Sequence, residues 1–382
     1  MTLLLTCIAI FTWRSCHKLG LFSHGAVVIN GCIQNFHLWE ILQNFMDVPG
    51  QRLSLFADVW RNAGADPALQ HLIQFGHKIV FEDGVPPLTM PLLEHETTMA
   101  EPQMEIVRTE VAQLLVKGAI RKVSQQEALA KPGHYSHIFT VSKPGGKHRV
   151  VINMKPLNEH VLKEKFRMET AKDVKSISIL KKGDFGAVVD LTDAYYTVKL
   201  HKQSRKYCRF IVDGQIYEYI ALPMGLTCSA RIFTRVALFI GSRLRRMGVR
   251  IILYIDDLLV IASTARLCEE HVRLVVDTIV TFGFLLNMKK SNLTPSQVFV
   301  YLGMVWDTVN WLLSIKPERE DHIRKNAQEL MKSTSVTCRT VAVFLGRTNS
   351  AAGAIPLARA RCRVLQWDFL ASCTAPHLYN PT

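Results

Sequence analysis

Two apolar runs of β character, residues 249–255 and 258–262, are separated by nothing but Asp256-Asp257. Short runs rich in Ile, Leu and Val, bounded by polar residues, read as buried strands. Runs this close leave no chain for a crossover, so they fold back on each other as an antiparallel pair. The tip of that hairpin then carries two adjacent acids beside an apolar sheet. A chain with this feature has to build an antiparallel sheet and hold paired carboxylates at its end.

The elements around this hairpin are legible from turn and periodicity signals. Residues 1–45 give no pattern, 50–81 read as helical, and the proline-broken stretch 84–91 cannot be a helix interior. A helix opens after Pro102 with Val107, Val111, Leu114 and Leu115 at helical spacing, and Gly118 is placed to end it. Strands follow at 136–141 and 148–154, joined through Lys143-Pro144-Gly145-Gly146-Lys147, and at 187–191. Asp213-Gly214 between 207–212 and 215–220 is a strong two-residue hairpin signal. A long helix with Ile232, Val236, Phe239 and Ile240 on one face ends near Gly248, and another ends near Gly283. A strand is expected over 298–306, and Pro317 sits well to open a further helix. The result is an α+β layout with an antiparallel sheet.

Charge narrows the partners. Lys and Arg number 46 against 32 Asp and Glu, a formal +14. Between residues 121 and 182 there are 14 basic against 5 acidic side chains, with Tyr135, Phe139 and Phe166 among them. Such an excess suits a polyanion, because each neutralised phosphate releases a counterion; a generally basic surface is the plainer account. The 9 cysteines are scattered with no C-x-x-C spacing, which supports neither a disulfide framework nor a zinc ribbon. A reducing compartment, cytoplasmic or nuclear, fits that usage. The apolar residues 1–13 are too short for a membrane span of about 20 residues and lack a basic leader segment, so no membrane partner is expected.

A second acidic site, Asp190, ends the apolar strand of Val188-Val189-Asp190-Leu191-Thr192-Asp193-Ala194-Tyr195-Tyr196. Antiparallel pairing can set it beside Asp256-Asp257, although 66 residues separate Asp190 from Asp256. Clustered carboxylates repel and desolvation disfavours their charged forms, so a cation should compensate. Hard oxygen donors with open positions suit Mg²⁺. Two such ions about 4 Å apart can activate a primer 3′-oxygen and stabilise departing pyrophosphate. For Asp-Asp alone, a solvated turn is an equal reading.

The stretch 190–200, Leu222-Pro223-Met224-Gly225-Leu226 and Tyr254-Ile255-Asp256-Asp257 occur in the order and spacing of the reverse transcriptase family, which the chain resembles from about residue 50 to about 356. Val150-Val151-Ile152-Asn153-Met154-Lys155-Pro156-Leu157-Asn158 looks like its fingers strand and Tyr301-Leu302-Gly303 its primer-grip turn. The run 133–139 and the tail after Leu313 resemble DIRS-like retrotransposons first and gypsy-like elements next. The resemblance implies a right-hand polymerase core with fingers, palm and partial thumb. It divides the chain into an unassigned 1–45, an N-terminal extension 46–95, fingers and palm over 96–310, and a thumb or connection remnant over 311–382 without RNase H. The implied activity is RNA-directed DNA polymerase: transfer of a dNMP to a primer 3′-hydroxyl, with an RNA or DNA template, a primer, dNTPs and two Mg²⁺ or Mn²⁺ ions.

By the same resemblance Asp190 and Asp256 are metal ligands, Asp257 is the second acid of the pair, and the carbonyl of Leu191 completes a metal shell. Lys147 and Arg149, two apart on a strand and so on one face, would hold the triphosphate, against which the backbone of Asp193-Ala194 would lie. Tyr195 matches the steric gate against a 2′-hydroxyl, with Tyr196 as the neighbouring alternative. Met224 and Gly225 would open the helix beneath template and nucleotide. Lys290, or Lys289, matches the lysine that protonates pyrophosphate. Asn153, His148 and Ala230 depart from residues frequent in the family, and no room remains after about residue 356 for RNase H, as in a partial reading frame. The alternative is therefore a retroelement relic, inactive or adopted by a host, that binds nucleic acid without synthesis.

Overall fold

Asp66 accepts the N–H of Leu69 at 2.9 Å and Pro67 follows it, so helix α1 (Pro67–Phe75) begins there; Gly76, at φ 93°, ends it. Helix α2 (Glu101–Val116) buries Met104, Val107, Val111 and Leu114 along one stripe and stops before Gly118 at φ 63°. The strands β1 (Ile120–Val123), β2 (Ile138–Ser142), β3 (His148–Ile152), β4 (Phe185–Asp190), β5 (Arg209–Val212) and β6 (Gln215–Tyr219) come next. Helix α3 (Ser229–Arg246), β7 (Arg250–Tyr254), β8 (Asp257–Ala262), helix α4 (Ala265–Thr281) and β9 (Asn292–Ser296) complete the central layer. They are followed by β10 (Val298–Tyr301), β11 (Met304–Asp307), β12 (Leu312–Ile315) and the helices α5 (Pro317–Lys332), α6 (Cys338–Ala351) and α7 (Arg363–Cys373). This computed structural model describes residues 48–373 except 83, 85, 87, 143–147, 175–178, 334 and 356. The segment 1–45 and the turn 143–147, with Lys147, therefore lie outside the described residues.

The central sheet runs β7-β8-β4-β9 and is antiparallel throughout. Successive residues of β8 serve opposite faces: Leu258, Val260 and Ala262 join the core under α3 and α4, while Leu259 and Ile261 join a second core with Phe299, Tyr301, Met304 and Trp306. A strand buried on both faces has to be apolar at every position, which is why 258–262 carries no alternation. Trp60 locks the helical side: it is fully buried, donates its indole N–H to the carbonyl of Phe282 at 3.1 Å, and meets the Phe282 ring edge-on at 4.9 Å. Smaller sheets, β1-β6-β5, β2-β3 and β10-β11-β12, flank the central one.

Three expected boundaries shift. The strand expected over 298–306 is two strands, because Leu302 and Gly303 both take positive φ, 50° and 71°, and reverse the chain. Met224 and Gly225 do not open the long helix; α3 begins at Ser229. The acids are also one residue off the expected tip. The turn is Ile255-Asp256, and Asp257 is already the first residue of β8, opposite Tyr254.

Candidate active site

The register of the central sheet sets Asp190, last of β4, directly opposite Asp257, first of β8. The Leu191 N–H donates to the carbonyl of Asp256 at 2.9 Å, so the chain leaving β4 is sewn to the hairpin turn. Ser291 Oγ accepts the Asp190 N–H at 2.9 Å, and the Asp190 carbonyl accepts the N–H of Asn287 at 2.8 Å. Three separate segments, near 190, 256 and 290, thus meet at one end of the sheet. Ile255 makes the turn at φ 55°, a conformation costly for a β-branched residue.

Electrostatics follow from this packing. The Asp190 side chain is buried, and its Oδ1 accepts no hydrogen bond. Burial, and then Asp256, raise its pKa above the ordinary carboxylate value, while Lys290 opposes the shift. Asp257 is pushed up to about 6, by burial first and then by Asp256 and Asp190. Lys290 Nζ lies 3.9 Å from Asp190 Oδ1 while its side chain stays mostly exposed. Of the two candidate lysines, 290 is the one held beside the carboxylates.

This donor set suits a hard divalent cation. Its side chains offer carboxylate oxygens, one of them buried without a hydrogen bond, in a nest of like charge that one exposed lysine offsets in part. Among the described residues no three His, Cys, Asp or Glu side chains are already gathered into a coordination cluster.

A cleft of about 440 Å³ joins these acids to the β10–β11 turn. Asp190, Asp257 and Lys290 line one part of it, and Tyr301, Leu302, Gly303 and Lys316 another. Tyr301 is buried and donates its hydroxyl to the backbone carbonyl of Asp257 at 3.2 Å. The turn is thereby tied to the carboxylate strand.

The two tyrosines part company. Tyr196 is buried against Tyr219, with ring centroids 6.4 Å apart. Tyr195 is half-buried, stands edge-on to Phe233 at 5.7 Å, and is pushed up to about 12 by burial and then by Asp256 and Tyr254. Tyr195 is accordingly the one beside the acids. Asp193, at φ 47°, gives its carboxylate to Lys117 Nζ at 3.0 Å, and Ala194 is buried at the start of a short 3₁₀ turn. Gly225 takes φ 88°, and Asn158 spans the Gly225 turn, donating to the Gly225 carbonyl and accepting the Thr227 N–H, both at 2.8 Å. Arg149 is exposed on β3, paired with Val141, in the separate two-stranded sheet. None of its described contacts reaches the carboxylates. Ser291, Asn158, Lys117 and Lys316 were not singled out from sequence. Asn158 ends the quoted 150–158 run and Ser291 follows the candidate Lys290, whereas Lys117 and Lys316 carry no local signal.

Residues 141–306 match the family described as Reverse transcriptase (RNA-dependent DNA polymerase). The chain is 27% identical over 227 residues to the enzymatic polyprotein of Soybean chlorotic mottle virus, covering 58% of this chain and 31% of that one. It is 26% identical over 208 residues to the retrovirus-related Pol polyprotein from transposon gypsy of Drosophila melanogaster, covering 53% and 19%. The chain thus spans under a third of these relatives. Among solved structures, a foamy viral protease-reverse transcriptase in complex with double-stranded DNA superposes with a TM-score of 0.58 at 16% identity, covering 96% of this chain and 61% of that one. Another, in complex with an RNA/DNA hybrid, gives 0.58 at 14% identity over 93% and 45%. The fold is the α+β polymerase fold of palm and fingers. Residues 141–306 are thus similar to the reverse transcriptase family, and the chain is similar in part to viral and retrotransposon polyproteins.

Proposed function

We propose that this chain is an RNA-directed DNA polymerase that adds dNMP units to a primer 3′-hydroxyl on an RNA or DNA template. The observation that carries this reading is the convergence of Asp190, Asp257 and Lys290 with the Tyr301-Leu302-Gly303 turn around one cleft. Asp190, Asp256 and Asp257, with the carbonyl of Leu191, would hold two Mg²⁺ ions, or Mn²⁺ in their place. When bound, such ions would supply Lewis-acid activation of the attacking oxygen and would neutralise charge on the leaving phosphates. Tyr195 closes the floor beside the acids and excludes a ribose 2′-hydroxyl. Lys290, exposed and adjacent to Asp190, is positioned to give a proton to departing pyrophosphate. Tyr301 steadies the primer-side turn through its bond to Asp257. By the resemblance, Lys147, Arg149, Asp193, Ala194, Met224 and Gly225 are read as the residues that hold the incoming nucleotide.

Intact acids in register favour synthesis over nucleic-acid binding alone. The finer relationship, to DIRS-like elements first, rests on the run 133–139 and on the tail after Leu313. The domain reading keeps fingers and palm over 96–310 and a thumb or connection segment beyond it. Primer extension on an RNA template with Mg²⁺ and dNTPs, run beside Asp256→Asn, tests the activity. Incorporation that disappears in the variant is expected. A folded protein that binds primer–template yet adds no nucleotide overturns the reading.

A further inference from the structure

A second cleft, of about 1100 Å³, shares no lining residue with the one around the carboxylates. Its charge is arranged in two layers. The floor is a balanced network: Arg121 bonds both Glu127, at 2.5 Å, and Glu218, at 2.6 Å, and the buried Arg209 bonds Glu218 at 3.1 Å. Two guanidinium groups meet two carboxylates there and leave no excess. The lining also carries exposed Lys78, Lys131 and Lys202 and half-buried Arg205 and Lys206. None of these five has a carboxylate within ion-pair distance among the described residues. The cleft is therefore about five positive charges in surplus, three of them exposed at its mouth.

The walls are fixed by the backbone. The His77 N–H donates to the Lys199 carbonyl and the His201 N–H to the His77 carbonyl, both at 2.9 Å. Buried Ser204 accepts the Ile79 N–H at 2.9 Å, so 77–81 is pinned along 199–204. On the other side the His134 N–H donates to the Lys206 carbonyl at 2.9 Å. A Cβ on Gly133 would come within 2.7 Å of that same carbonyl, so only glycine lets the two segments approach this closely. Arg205 is held by the Leu200 carbonyl and Gln51 Oε1, both at 3.2 Å. Between the walls sits an aromatic pair, Phe81 edge-on to Tyr207 at 4.8 Å, with Lys206 Nζ 5.2 Å from the Tyr207 ring. Neighbouring groups register the field: Lys199 is lowered by burial and then by Arg205 and Lys202.

We propose that this cleft binds a single-stranded segment of nucleic acid outside the carboxylate cleft, its phosphates on the lining lysines and a base against the Phe81–Tyr207 pair. Spread cations around an aromatic surface are the combination that single strands use. A duplex keeps its bases stacked inside and gains nothing from the aromatic pair. A free phosphate would engage one or two of the cations and none of the rings. The strand can be the unpaired template beyond the primer or a second strand in trans.

The test reads binding alone, so it stands or falls apart from the polymerase reading. The full chain and Lys131→Ala/Lys202→Ala/Lys206→Ala are titrated, by fluorescence anisotropy, against a labelled oligo-dT strand and a blunt duplex at several salt concentrations. These lysines line the cleft, and circular dichroism checks that the fold is kept. For the single strand, the slope of log affinity against log salt should flatten by roughly 2, at about 0.7 for each phosphate that is no longer neutralised; blunt-duplex affinity should stay within twofold. Phe81→Ala should weaken the single strand by about tenfold and leave the salt slope intact. Unchanged single-strand slope, or an equal loss for both ligands, overturns the proposal. A primer–template with a long 5′ overhang identifies the source. If the overhang blocks the free strand, the occupant is the template itself; if both bind together, it is a second strand. Either outcome supports the site.

Discussion

Asp190 is a buried acid whose Oδ1 accepts no hydrogen bond and has only the exposed Lys290 ammonium 3.9 Å away; such a group costs stability, and a functional role explains why it is kept. Asp190→Asn is expected to abolish nucleotide incorporation while leaving the unfolding midpoint equal or higher in metal-free buffer; a drop of several degrees would mean that the carboxylate is structural. The tyrosine pair separates in the same manner. Tyr195→Ala should admit ribonucleotides, read as a fall in the dNTP-over-rNTP ratio of kcat/KM. Tyr196→Ala should cost about 3 kcal/mol in urea unfolding, as large-to-small changes in a core do. His77 supplies a pH signature. Burial, and then Arg231, lower its pKa from 6.5 to about 4, and its Nε2 has no partner. The unfolded chain takes up that proton below about pH 6.5 while the folded one refuses it until about pH 4, so the stability present at neutral pH is lost across that window. His77→Gln should lose less stability than the parent between pH 7 and pH 4, by on the order of 2 kcal/mol, in denaturant titrations at the two pH values.

At the scale of elements, the contact between β4 and β10 carries the primer-side turn. A Cβ on Gly186 would lie 2.4 Å from the ring of Phe299, which is buried between the central sheet and the β10 hairpin. Gly186→Ala should therefore cost about 2 kcal/mol through overpacking, and Gly186→Ala/Phe299→Leu should recover part of it, as measured by urea unfolding of the two variants. Much of this layer was legible in advance. Asp213-Gly214 announces a hairpin because Gly, and to a lesser extent Asp, accept positive φ, and both residues adopt it. Leu302-Gly303 makes the same reversal, but leucine at φ 50° carries no turn signature, so one strand was expected where there are two. The start of α3 was misplaced because the preceding turn is held by Asn158, 67 residues from the Gly225 carbonyl it bonds. The juxtaposition of Asp190 with Asp257 was legible because each stands at the end of an apolar run that pairs in one antiparallel sheet. Lys117 against Asp193 was not, since no spacing rule joins residues 76 apart.

For the molecule as a whole, a formal charge of +14 and two clefts with different charge patterns predict distinct salt behaviour. Affinity for primer–template should fall steeply, by on the order of 10³ between about 50 and about 200 mM salt if some six phosphates are contacted. A salt-insensitive affinity would contradict the charge argument. The loop-free β7–β8 hairpin has a different kind of consequence, one for how such a gene can change in length. Only Ile255 and Asp256 separate the two strands, and Asp257 faces Asp190 by register alone. A codon gained or lost there would slip β8 by one place and turn every one of its side chains to the opposite face. Asp257 would then leave the site, and the two cores would exchange their contents. Single-codon insertions and deletions made along the whole reading frame should consequently be tolerated in the 309–311 turn and the 333–337 connection, yet leave a blank interval at 254–258.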